Sequence, residues 1–432
     1  MKIVHFSTSD YIGAFRATYL LHQALRKTGV ESLMLVKNKT VIDDSVIQIG
    51  HFSIRDFIIQ KSIRYSFIDF VSRKLYFLYK KIKPQETQIT FNRNRSFISF
   101  GSIKKYLQGV DIICLHWIDD FLSTGLIKQM SQFTKAPIVW TLMDMEPFTG
   151  GCHYNYDCGG FKGACGHCPQ LKSNKENDLS RIIWQQKYRD LTDLDITFVA
   201  PSSWIYDRVR EGSLFCEKKV KKILLSVDTN IFKKSNKKVA RNKLQLPNGK
   251  KIIFFGTRSL TEERKGMKYL LEALNILYEK IKIKDENLLN NIILLTAGDN
   301  PFCIKTPFKH QHMGFVKDMK KLALLYQAAD VFACPSMEDA GPMMVNEAIM
   351  CGTPVAAFDT GVAPDLIVSR DRGYLAEKYN VGDFCSGLNY FIFKEENNYK
   401  ETPGELPIEC APRFQAQQYH LLFKEILNTQ KI

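Results

Sequence analysis

The chain has 432 residues, 45% of them hydrophobic, and a formal net charge of +15 at neutral pH. That length suits two to three domains with sizeable cores, and the hydrophobic share is ordinary for a globular protein. No run of eighteen apolar residues exists, which excludes a sequence-legible membrane span. The first residues read as a strand rather than a secretion signal, so a cytoplasmic location is expected.

Short apolar runs alternate with amphipathic ones. Strands are expected at residues 2–6, 32–36, 112–116, 138–141 and 197–200, then at 252–255, 292–297, 331–334 and 355–358. Helices are expected at 14–27, 121–132, 265–281, 319–328 and 342–350. Such alternation predicts α/β architecture, with parallel sheets covered by helices on both faces. The run Val227-Asp228-Thr229-Asn230 and the polar stretch after it separate the two strand series. This predicts an N-terminal domain over 1–226 and a second over 227–410. An amphipathic pattern at 414–427 predicts a last helix, and periodicity leaves its docking place open.

Residues 52–107 hold twelve lysines and arginines against three acidic residues, interleaved with Phe57, Tyr65, Phe67, Tyr76 and Phe77. A basic segment with an aromatic face suits an anionic membrane surface. A solvated face over a domain core is the other reading. No nucleic-acid-binding motif accompanies the charge, so nucleic acid is not an expected partner. Four of the eleven cysteines crowd together as Cys152, Cys158, Cys165 and Cys168, the last pair in Cys-x-x-Cys spacing. In a reducing compartment such a group suits structural zinc, with His153 or His167 able to replace a thiolate. Unmetallated thiols or disulfides stay open.

Chemistry-bearing residues gather where strands end. The stretch Ser7 to Arg16 leads into a helix with a single glycine, Gly13, where a dinucleotide fold wants three, which argues against a dehydrogenase. His116 ends another strand as a core or a functional histidine. Arg258 follows the strand at 252–255, and Arg264-Lys265-Gly266 opens a helix. Cations held there would stabilise the negative charge growing on a leaving diphosphate. Asp193-Leu194-Asp195 lacks supporting context and reads as loop. After the strand at 331–334 comes the turn Ala340-Gly341-Pro342 and a helix that starts where a proline costs no hydrogen bond. Free amides and the helix dipole favour a phosphate there. Asp339 and Glu347 stand with seven residues between them.

This stretch resembles the nucleotide-sugar signature of family 4 of the retaining glycosyltransferases, enzymes of the GT-B fold. That family carries Glu, seven residues, Glu, then Ala and a Cys-Gly-Thr-Pro-Val run. The chain has Glu347-Ala348 and Cys351-Gly352-Thr353-Pro354-Val355 in register, with Asp339 in place of the first Glu, while Glu338 leaves eight intervening residues. The resemblance implies two Rossmann-like, doubly wound domains facing across a cleft, with residues 411–432 crossing back to the first. It implies a UDP- or GDP-sugar donor and no catalytic metal. On the family's pattern Glu347 meets the ribose, Asp339 the transferred sugar, and Arg258 with Lys265 the diphosphate, Arg264 standing in for Lys265. Gly13 lies near donor phosphate and acceptor, Gly341, Pro342 and Met343 offer the helix start, and Val316 lies on the base-binding backbone.

The stretch from Trp140 to Tyr154 resembles a surface-polysaccharide branch of the family, in which a His before Asp144 touches the donor sugar. Met143 occupies that place, so His116 or another group compensates, or turnover is impaired. The implied acceptor is a polyprenyl-diphosphate-linked saccharide at the inner face of the cell membrane. A non-catalytic partner subunit and a nucleotide-sugar epimerase are the competing readings.

Overall fold

The structure is a computed structural model that describes residues 1–10, 13–49, 91–96, 98–299, 304–341, 343–393 and 407–429. Most of the basic segment 52–107, and Pro342, lie outside the described residues.

Two parallel sheets form the molecule. The first contains β1 (Lys2–Ser9), β2 (Glu31–Asn38), β3 (Val46–Gln48), β4 (Ile112–Leu115), β5 (Ile138–Thr141), β6 (Ile196–Ala200) and β7 (Lys219–Lys222), in the order 3-2-1-4-5-6-7. The second contains β8 (Lys251–Ser259), β9 (Ile292–Asp299), β10 (Lys309–His312), β11 (Val331–Cys334), β12 (Val355–Phe358) and β13 (Gly373–Ala376), in the order 10-9-8-11-12-13. Chain order reverses at β1 and at β8, and ligands of open parallel sheets bind outside the carboxyl ends of strands at such points. The strands absent from the sequence reading are β3, β7, β10 and β13, and all four are sheet edges. An edge strand is not buried on both faces, so its sequence need not be an apolar run; Lys219-Val220-Lys221-Lys222 shows this plainly.

The principal helices are α1 (Ala14–Lys27), α2 (Thr124–Thr134), α3 (Leu179–Leu191), α4 (Ser203–Glu211), α5 (Met267–Lys284), α6 (Met319–Ala328), α7 (Met343–Met350), α8 (Val381–Phe393) and α9 (Pro412–Thr429). α2 starts after the expected position 121 because Ser123 caps it, accepting a hydrogen bond from Leu126 N. α9 packs on the first sheet. Its Tyr419, Leu422 and Phe423 share a core with Ile3 and Val139, and Tyr419 Oη lies 2.7 Å from Thr141 Oγ1.

Side chains tie the two halves together. Asp365 accepts from Ser203 Oγ at 2.6 Å and from Lys222 Nζ at 2.8 Å, and Ser202 Oγ donates to the Ala340 carbonyl. Among the described residues no helix is long and apolar enough to cross a membrane.

Candidate active site

The second half's wall is built by a forced contact. Gly266 adopts φ 75°, and a Cβ there would stand 1.8 Å from the Pro335 carbonyl oxygen. Only glycine lets the loop before α5 press so closely on the loop after β11. The contact brings both cations onto Asp339: Arg264 Nη1 lies 2.9 Å and Lys265 Nζ 2.5 Å from its Oδ2. Burial alone would raise the Asp339 carboxyl, but the charges of Lys265 and Arg264 outweigh it and hold it below the usual carboxylate range.

The two cations are not equivalent. The Arg264 guanidinium also donates to Glu262 Oε1 and to the Glu338 carbonyl, so four of its five N–H groups are engaged. Lys265 Nζ has Asp339 as its hydrogen-bond partner among the described residues, which leaves two of its three protons for a ligand. Arg258, exposed at the end of β8, has no partner among the described residues. Gly341 N points to Asp339 Oδ1 at 3.4 Å, and Met343 opens α7. On that helix Glu347 is buried, with Oε2 accepting from Tyr326 Oη at 3.0 Å. Burial pushes its carboxyl up to about 7, against the opposing pull of the Tyr326 hydroxyl and the Arg16 charge. Val316 is half-buried and packs on the same core as Met343.

Across from this wall, Gly13 starts α1 at φ 55°, ψ −129°, with open space where a side chain would begin. One turn on, Arg16 Nη2 lies 3.7 Å from Asp228 Oδ2. Beyond β4 and β5 lies a buried charge cluster. His153 Nδ1 is 2.6 Å from Asp144 Oδ2, and its Nε2 is 3.3 Å from Asp119 Oδ2. Burial would lower the His153 pKa, but the charge and hydrogen bond of Asp144, with the Asp119 carboxylate beside Nε2, carry it up to about 10. Asp144 also accepts from Trp117 Nε1 at 2.5 Å and from Glu146 N at 2.9 Å. The Asp144 carboxylate is thus engaged on both oxygens, Oδ2 by Trp117 and His153 and Oδ1 by the Glu146 amide.

His116 lies in the core, its Nε2 2.9 Å from His5 Nδ1, and burial, with the nearby charge of His22, drives its pKa down to about 3. The structure does not bring it together with Asp144 or Asp339. The histidine on the acidic cluster is instead His153. Its link to Asp119 crosses 34 positions of sequence and carries no periodic signal. Met143 packs with Ala17, Leu225, Trp117 and Met343, an apolar contact spanning both halves of the chain.

Cys152, Cys158, Cys165 and Cys168 line one cavity. Gly160 N donates to Cys158 Sγ at 3.4 Å, while the amide of Gly150 serves Cys165 and those of Leu171 and Gln170 serve Cys168. Among the described residues no three His, Cys, Asp or Glu side chains stand ready to share a metal ion. His167 is exposed, with Nδ1 3.0 Å from the Asn174 carbonyl oxygen, and His153 is committed to Asp144.

Two Rossmann-like parallel sheets, joined by polar ties and with their switch points at β1 and β8, define the GT-B fold. Solved structures agree. Sucrose-phosphate synthase from Thermosynechococcus elongatus superposes with a TM-score of 0.63 at 16% identity, over 99% of this chain and 100% of that one. Anabaena HepE in complex with UDP-glucose does so with 0.57 at 14%, over 100% and 99%. Residues 236–402 match the family model described as glycosyl transferases group 1. WcaC of Escherichia coli (strain K12), named as a colanic acid biosynthesis glycosyl transferase, is 25% identical over 238 residues, 53% of this chain and 54% of WcaC. The chain thus spans about half the length of the curated relatives it matches. It has the GT-B fold throughout and is similar to the group 1 glycosyl transferases over residues 236–402.

Proposed function

We propose that the protein is a retaining glycosyltransferase that moves a sugar from a UDP- or GDP-sugar to a lipid-linked glycan, without a catalytic metal. One observation carries the reading: Lys265, with spare protons, and Asp339 share a hydrogen bond beside Gly341 at the start of α7. Lys265 and Arg258 would meet the diphosphate, and the α7 amides its oxygens. Asp339 would accept from the transferred sugar and Glu347 from the ribose. The HepE complex with UDP-glucose and the WcaC name support a nucleotide-sugar donor and a polysaccharide setting. The acceptor's polyprenyl diphosphate would bring the protein to the inner face of the cell membrane, where residues 52–107 add charge attraction.

The test is a panel of nucleotide sugars incubated with chelator-treated protein, read by release of UDP or GDP and by calorimetry. Slow hydrolysis of one donor is expected; a metal requirement overturns the mechanism. Failure of every donor to bind or turn over favours the second reading, a non-catalytic partner subunit, which the apolar packing of Met143 motivates.

We also propose that the four clustered cysteines hold one structural zinc, supported by their shared cavity and the amides directed at their sulphurs. Metal analysis should find about one zinc per chain, lost in Cys165→Ser. A metal-free, fully folded protein overturns this.

A further inference from the structure

The segment that carries the four clustered cysteines, Cys152 to Cys168, here called the cysteine insert, reaches across to the second half of the chain. Between Cys152 and Cys158 the chain makes a tight turn, with Tyr156 at φ 46° and Asp157 at φ 64°. That turn lands on the loop that carries Asp339. The Tyr154 ring lies 4.2 Å from the Arg264 guanidinium carbon, Tyr156 N donates to Glu338 Oε2 at 3.1 Å, and Asp157 meets the Tyr379 hydroxyl. The turn is itself braced, since Gln170 Nε2 donates to the Tyr154 carbonyl at 2.6 Å and Asn155 Nδ2 to that of Cys158 at 3.1 Å.

The Arg264 guanidinium is nine-tenths buried. Four of its five in-plane donors are spent on Glu262, Glu338 and Asp339, and its face stays available to a further partner. An aromatic ring is the partner that suits the face of a planar cation. The ring comes from the opposite half of the chain, so the alignment of Asp339 is not decided within the second half alone.

We propose that Tyr154 is a positioning residue: its ring fixes the Arg264 guanidinium, and through it Asp339 and Glu338, making the cysteine insert a clamp that sets the loop of Asp339 against the first half of the chain. This rests on the reading of Lys265 and Asp339 as a nucleotide-sugar site. The contact is made by the ring, and the phenol hydroxyl has no hydrogen bond among the described residues, so phenylalanine should serve and an aliphatic residue should not.

The experiment uses the full chain as Tyr154→Phe and Tyr154→Leu, with UDP and GDP as calorimetric probes and hydrogen exchange read in residues 262–266 and 335–341. Tyr154→Phe should match the parent. Tyr154→Leu should bind its nucleoside diphosphate about 10- to 30-fold more weakly, the scale of a largely desolvated cation–π contact. Exchange in both loops should speed up while β1 and β9 stay protected, a pattern that mere loss of stability does not produce. Loops exchanging as in the parent, or a Tyr154→Phe variant as impaired as Tyr154→Leu, overturns the proposal. If the parent binds neither diphosphate, the nucleotide-sugar reading fails and the exchange comparison still decides the clamp. Should Tyr154→Leu not fold, Arg264→Lys, which keeps the charge and loses the planar face, should speed exchange at 153–157; unchanged exchange there overturns the proposal.

Discussion

Replacing Glu347 by glutamine separates charge from shape at the proposed nucleotide-sugar site. Oε2 already accepts from Tyr326 Oη at 3.0 Å, and Oε1 has no hydrogen bond among the described residues, so Oε1 is the acceptor left for a ribose hydroxyl. Losing one hydrogen bond to a charged acceptor costs about 1.5–3 kcal/mol, which weakens donor binding by about 10- to 150-fold. The raised pKa of about 7 adds a pH signature. If only the carboxylate accepts from the hydroxyl, the apparent dissociation constant at pH 6 is about tenfold that at pH 8. Calorimetry with the donor from pH 6 to 8 should show this slope in the parent and none in Glu347→Gln. The stability sign runs the other way from the usual carboxylate case. The folded pKa lies above the ordinary 4.5, so the fold holds the proton and stability declines as pH rises from about 4.5 to 7, a decline the glutamine abolishes. A parent whose donor affinity is flat with pH, beside a glutamine variant that binds as well, would refute the ribose role.

Two further outcomes follow from buried charge and close backbone approach. His153 is raised from 6.5 to about 10, so its stabilisation is complete below pH 6.5 and lost as pH rises through 10. His153→Gln leaves Asp144 and Asp119 without their cation, and should lower stability at pH 7 by about 3–5 kcal/mol in denaturant titrations while flattening the slope from pH 7 to 10. A variant with parental stability and slope counts against the imidazolium. Alanine at Gly266 meets the Pro335 carbonyl at 1.8 Å, whereas at Gly13 it meets nothing within 4 Å. Gly13→Ala should therefore cost about 1–3 kcal/mol from backbone strain alone, and Gly266→Ala clearly more. Equal melting temperatures would contradict the packing of that loop.

The fold class was legible in the sequence because buried central strands of a parallel sheet must be nearly continuous apolar runs. Val331–Cys334 and Ile138–Thr141 are such runs, and each occupies the place its composition predicts. The edges β3, β7, β10 and β13 were not legible, since half-exposed strands carry no such constraint. Around α7, local spacing placed Asp339 and Glu347 about a helix start, because residues so close in sequence inherit their geometry from one turn and one helix. The sequence could nominate Arg264 and Lys265 but not divide their labour, which depends on Glu262, Glu338 and Tyr154 surrounding one of them. Nor could it show His153 between Asp119 and Asp144, or Tyr154 against Arg264. Chemistry held within one turn or helix is a property of the sequence itself. Pairings between chain segments tens of residues apart, and the protonation states they impose, exist only once burial has brought those segments together.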